Sequence, residues 1–191
     1  MDDTRDRMLD GAIRLLASKG VHGASLGKML SETGAPRGSI YHHFPGGRNQ
    51  LFSEALDRTT ASHDRWVAAH AGGTAESVTA AFLAFWRAVL EGSEFESGCP
   101  VLAVTVSAPD GELFDKAASV FASSMEHLTG LLVHAGVARS DASEFATVLV
   151  SSAEGAVVIA RVQHSVRPLE AVGALLLQRA RELDAAAATA A

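Results

Sequence analysis

TGAPRGSIYHHF, residues 33–44, sets an arginine, a tyrosine and two histidines just after a proline, with Ile40 and Phe44 four apart among them. That spacing puts the two apolar side chains on one face of a short helix and leaves Arg37, Gly38, Ser39, Tyr41 and His42 for the other. The outer set is chemically coherent. Arginine can be bidentate to guanine, serine and tyrosine hydroxyls reach phosphate oxygens, and a glycine lets the backbone approach closely. An ordinary helical corner with a solvated polar face has the same spacing, so the neighbours must decide.

Upstream, Ser25 is a good N-cap for a short helix with Leu26, Met29 and Leu30 inward, ended by Gly34. Pro36 suits the first turn of the helix that follows, where its missing N–H costs nothing. A first helix is expected over about residues 4–18, with Met8, Ala12, Leu15 and Leu16 inward and Gly20 as its stop. Two helices joined by a short glycine-containing turn read as a helix-turn-helix.

Beyond this head, apolar residues recur at helical spacing and strand-like alternation is hardly visible. Helices are expected over about 49–71, in TAESVTAAFLAFWRAVLEG, in a short segment between Pro100 and Pro109, and in ELFDKAASVFASSMEHLTGLLVHAG closed by Gly136. SDASEFATVLVSSAEGAVVIARVQH follows, with Asp141 and Glu144 spaced as an N-terminal capping pair. Pro168 opens the last helix, and the Ala-rich tail is expected to fray. The expected fold is all-α, with about nine helices: a head over 1–48 and a body over 49–191.

The net charge of −6 is unevenly spread. Residues 1–50 carry seven Lys/Arg against five Asp/Glu, and the remainder nine against seventeen. Between residues 11 and 50 the only acid is Glu32, beside five bases and three histidines. A locally positive tip is what phosphate binding requires, because counterion release depends on local contacts and not on total charge. The single cysteine, Cys99, excludes an internal disulfide framework and suits a reducing cytoplasm. No run of eighteen uncharged apolar residues argues for a membrane span.

The stretch SLGKMLSETGAPRGSIYHHFPGGRNQLFSEAL closely resembles the DNA-binding head of the TetR family of transcriptional regulators, over roughly residues 4–57. The resemblance implies a one-component repressor with a three-helix DNA-binding head and a divergent ligand-binding, dimerising body. By position it places Arg37, Gly38, Ser39, Tyr41 and His42 on the recognition helix, gives His43 and Tyr41 phosphate contacts, and sets Lys28 and Thr33 beside the groove. FPGGR departs from the family pattern by one extra glycine, which brings Arg48 in one residue late; Arg48 is still expected to grip a phosphate. GCPVLAVTVSAP and AEGAVVIARV are similar to the LmrA/YxaF-like branch, whose members tend to control drug-efflux genes.

Family bodies enclose an apolar effector cavity, and that likeness turns the aromatic stripes of this chain from plain core into candidates. Trp66, Phe85, Trp86, Leu102, Val106, Phe121 and Met125 are expected to line it, with Glu154 or His164 as polar handles. The small-residue run SSAEGAVVIA permits close helix approach, so a dimer interface is expected to use Ser152, Ala156, Val157 and Ile159, joined by Val172, Leu175 and Leu176. The partners implied are operator DNA, a small effector and a second copy of the chain.

Enzyme chemistry finds no support. GxSxG is missing, the lone Gly27-Lys28 pair lacks the flanking residues of a phosphate loop, and no dinucleotide fingerprint follows a strand. His63/His70 and His127/His134 share helix faces without a third ligand, so neither a metal nor another cofactor is expected, and both pairs are expected to be solvated. The competing reading is a helical ligand-binding or redox-sensing protein, through Cys99, with no sequence-specific DNA site.

Overall fold

The computed structural model describes residues 3–36, 38–108 and 111–190, and among these the regular structure is helical throughout. The elements are α1 (Asp3–Gly23), α2 (Leu26–Thr33), α3 (Ser39–His43), α4 (Gly47–His70), α5 (Ala75–Gly92), α6 (Pro100–Ser107), α7 (Glu112–His134), α8 (Arg139–Gln163) and α9 (Arg167–Ala190). The chain is all-α, as the periodicity requires. It divides into two compact units, Met1–Ala61 with Cys99–Phe121 and Ser62–Gly98 with Ala122–Ala191.

The first unit is built on α1 to α3. Ser25 caps α2 by accepting the Lys28 N–H at 3.2 Å, and Gly34 ends it in the left-handed region at φ 65°. Met8, Leu16, Met29, Ile40, Phe44, Leu51, Phe52 and Leu56 are fully buried together. Each such side chain contributes roughly 1.5–3 kcal/mol of burial. α1 breaks at Gly20 (φ 66°), and one further turn runs to Gly23. At that break the Val21 N–H donates to Ser107 Oγ (3.1 Å), tying α6 to α1. The expected division at residue 48 therefore differs from the packing. Leu51, Phe52 and Leu56 on α4 bury with the head, and α6 joins it through α1.

In the second unit α9 packs along α5 and α8. Thr74 and Ser77 form a reciprocal capping box at the start of α5. The Asp184 carboxylate, from the far end of α9, accepts the Ala75 and Glu76 N–H groups at 2.7 and 3.0 Å. One side chain thus satisfies two of the donors that a helix start leaves open.

Three local expectations change. Pro36 precedes α3 by a turn, in which Ser39 bonds back to the Pro36 carbonyl, and does not sit in the helix itself. Asp141 and Glu144 form no capping pair, because α8 already begins at Arg139 and Ala138 offers no side-chain acceptor. The Ala-rich tail, expected to fray, is part of α9, which runs to Ala190, as alanine's high helix propensity allows.

Candidate nucleic-acid interface

Ile40 and Phe44 are 2% and 0% exposed, and they seat the five-residue α3 against the head core. The opposite side is open. Gly38 and His42 are exposed, Tyr41 is 64% exposed, and Ser39 is half-buried with its hydroxyl donating to the Pro36 carbonyl at 2.6 Å. His42 and His43 meet edge to face at 5.0 Å, with His43 half-buried. Lys28 on α2 is exposed and makes no ion pair among the described residues. Arg37, expected at the centre of this surface, lies outside the described residues.

The ion pairs show where the charges counted along the head are placed. Asp6 and Asp10 on α1 are both paired with Arg58 of α4, at 2.6 and 3.1 Å. Glu54 pairs with Arg5, whose guanidinium also lies 5.1 Å from the centre of the Phe44 ring. Asp6, Asp10 and Glu54 are thus paired at the α1–α4 seam, while Lys28, Tyr41 and His42 stay exposed on α2 and α3.

Two of the expected contact residues are committed elsewhere. Thr33 is buried, its hydroxyl donating to the Met29 carbonyl at 2.9 Å. A Cβ on Gly11 would lie 2.5 Å from Thr33 Cγ2, so α1 and α2 pass close to each other at this point. Arg48 turns inward. Its Nε donates to the Ala24 carbonyl at 3.3 Å, its Nη2 donates to the Val21 carbonyl, and the guanidinium lies 4.8 Å from the centre of the Phe52 ring. Gly47 takes φ 66° to open α4. Arg48, half-buried at the start of that helix, ties the α1–α2 connection to α4.

In the second unit Trp66, Phe85 and Trp86 do come together. Phe85 lies 6.2 Å from Trp66 and 5.4 Å from Trp86, both edge to face. His63, expected to be solvated, is buried at their centre, 4.8 Å from Phe85 and 5.1 Å from Phe82. Nothing in the sequence beyond its helical register with these rings marks it. Met125 is half-buried and Glu154 buried in the same unit, whereas His164 is exposed because it ends α8 in a left-handed turn (φ 47°). In the first unit Leu102 and Phe121 are half-buried. Val106 is 74% exposed, because α6 presents Val101 and Val104 inward instead.

The expected interface residues also divide. Ala156, Val157 and Leu176 are buried within the chain's own core, facing its own helices. Ser152 and Val172 are half-buried, and Ile159 and Leu175 are 49% and 71% exposed. Val148, Val158 and Val162 join Ile159 on the outer side of α8, a row at spacings of one or two turns that crosses exposed Gly155. The small-residue pattern does not show which face of α8 is open.

Residues 8–55 match the family model of bacterial regulatory proteins of the tetR family, and residues 75–175 match that of the LmrA/YxaF-like transcriptional regulator C-terminal domain. An HTH-type transcriptional regulator of Mycobacterium tuberculosis is 34% identical over 90% of this chain and 91% of its own length. LmrA of Bacillus subtilis, an HTH-type transcriptional regulator, is 46% identical over 29% of each chain. The crystal structure of a TetR transcriptional regulator from Legionella pneumophila shares the fold, with a TM-score of 0.82, 19% identity, and coverage of 94% of this chain and 98% of that one.

Proposed function

Because the chain belongs to the TetR family of bacterial transcriptional regulators, with an LmrA/YxaF-like C-terminal domain, we propose that it is a ligand-responsive repressor. It binds a near-palindromic operator as a cytoplasmic homodimer and leaves it when a small, largely apolar effector occupies the body. The relatives and the family models describe transcriptional regulators and not enzymes. Control of a drug-efflux gene is the target that the LmrA/YxaF-like branch suggests.

One observation carries the DNA reading. α3 is anchored on one side by Ile40 and Phe44 and presents Gly38, Tyr41 and His42 on the other, with Lys28 exposed on α2. Tyr41 and His42 then serve phosphate and base edges, Lys28 a flanking phosphate, and Arg37, by its place in the sequence, a base. In a dimer two such helices must lie about 34–36 Å apart, or a multiple of it, to enter successive major grooves. The open rows of α8 and α9, Val148, Val158, Ile159 and Val162 with Leu175, are the surface through which a second copy is assembled.

The effector acts by linkage. A ligand that binds the DNA-incompetent conformation more tightly shifts the population toward it, and DNA weakens ligand binding by the same factor. Trp66, Phe85, Trp86 and Met125 are the body residues proposed for that site. α4 runs without interruption from the head core into the segment carrying His63 and Trp66, so it is the element proposed to pass the signal. The test is a titration of labelled operator with protein, with and without candidate effectors. Release that does not depend on effector concentration overturns the ligand-responsive reading and leaves DNA binding standing.

A further inference from the structure

The aromatic cluster of the second unit contains two buried ring nitrogens without a hydrogen-bond partner among the described residues, His63 Nε2 and Trp86 Nε1. Both residues are 6% exposed, and their ring centres lie 6.4 Å apart. Buried polar atoms are rarely left this way, since each costs its full desolvation when nothing replaces water. Trp66 shows the ordinary solution in the same cluster: its Nε1 donates to the Ala81 carbonyl at 3.2 Å.

The chemistry that would satisfy the pair can be read from His63's other nitrogen. Nδ1 lies 3.1 Å from Asp64 Oδ1, and an ionised carboxylate only accepts, so Nδ1 carries the ring proton. In the neutral ring with its proton on Nδ1, Nε2 is a bare lone pair that takes a donor, while Trp86 Nε1–H takes an acceptor. A hydroxyl supplies both functions. The surroundings are Phe82 and Phe85, each with its ring edge to face against His63. That lining favours a flat aromatic body on the molecule bearing the hydroxyl.

We propose that His63 and Trp86 form the polar end of a ligand site in the body that takes an aromatic alcohol, its O–H donating to His63 Nε2 and an oxygen accepting from Trp86 Nε1. The role of this site as a regulatory one rests on the ligand-responsive reading above, but its chemistry does not.

The test uses full-length protein without DNA and three probes of similar size: phenol, which donates and accepts; anisole, which only accepts; and toluene, which does neither. Calorimetric titration should give phenol an affinity at least about tenfold above the other two. His63→Phe, which keeps a ring in the cluster, should abolish that preference, and Trp86→Phe should reduce it. If His63→Phe fails to fold by circular dichroism, Trp86→Phe carries the test alone. Equal binding of the three probes, no saturable phenol binding, or a preference that survives both substitutions overturns the site; the first is the result expected if water alone satisfies the two nitrogens. Phenol that binds with the stated preference but does not release operator supports the site and removes the effector reading instead.

Discussion

Arg48→Met separates a structural cation from a DNA-contacting one. Methionine keeps the aliphatic stem against Phe52 but removes the donors to the Val21 and Ala24 carbonyls and the cation over the ring. A hydrogen bond from a charged donor contributes roughly 1.5–3 kcal/mol. A cation over an aromatic face adds about 0.5–1 kcal/mol where it is exposed. Arg48 is only half-buried, so water re-solvates part of what is lost, and the net loss should be about 2 kcal/mol. For a chain of this size that corresponds to a fall in melting temperature of about 4–8 °C. The second readout is the salt dependence of duplex binding, measured by fluorescence anisotropy at several salt concentrations. Removing one phosphate contact lowers the magnitude of the log–log slope by about 1. Arg48→Met should lower the melting temperature and leave the slope unchanged. An unchanged melting temperature with a slope reduced by one unit would refute the inward placement and return Arg48 to the interface.

Lys28→Ala should do the reverse, removing about one unit of salt slope with the melting temperature within about 1 °C of wild type; a slope that does not move removes Lys28 from the interface. Gly11→Ala should cost roughly 1–3 kcal/mol by chemical denaturation, because its Cβ would meet Thr33 Cγ2. Thr33→Ser deletes that methyl, so the double variant should recover most of the loss, and additive losses would mean that the strain is relieved elsewhere. Asp184→Ala should cost about 1–2 kcal/mol by uncapping α5, and an unchanged stability would show that the two N–H groups find water instead. Ile159→Asp should turn the proposed dimer into a monomer in sedimentation and weaken operator binding; a dimer that persists moves the interface off this face.

Much of the head was legible because its signals are local. Ser25, Gly34, Ile40 and Phe44 act within a turn or two of their own positions, and each does what its type and spacing imply. What the sequence concealed depends on partners far along the chain. Thr33 looks like a turn residue until Gly11 is seen across from it. Asp184 looks like an ordinary acid near the C-terminus, and only the fold sets it on the start of α5. His63 belongs to a seven-residue pair that looks solvated, yet α5 brings Phe82, Phe85 and Trp86 around it. Arg48 looks like a phosphate contact by its charge and place, and only the fold shows its guanidinium on the Val21 and Ala24 carbonyls and over Phe52. On α8 the small residues identified a packing helix, but Ala156 and Val157 serve the chain's own core while Ile159 and Val162 remain open.

Whether α3 reads DNA is decided by binding to the region upstream of the chain's own gene. Anisotropy titrations should compare a duplex spanning that region with a scrambled duplex of equal length, for wild type and for Tyr41→Ala. The upstream duplex should bind at least about a thousandfold tighter than the scrambled one at physiological salt. Its affinity should fall steeply with added salt, and Tyr41→Ala should weaken it without changing the fold. Equal affinity for both duplexes at every salt concentration, or an upstream affinity indifferent to Tyr41→Ala, would mean that α3 is not a DNA-reading surface.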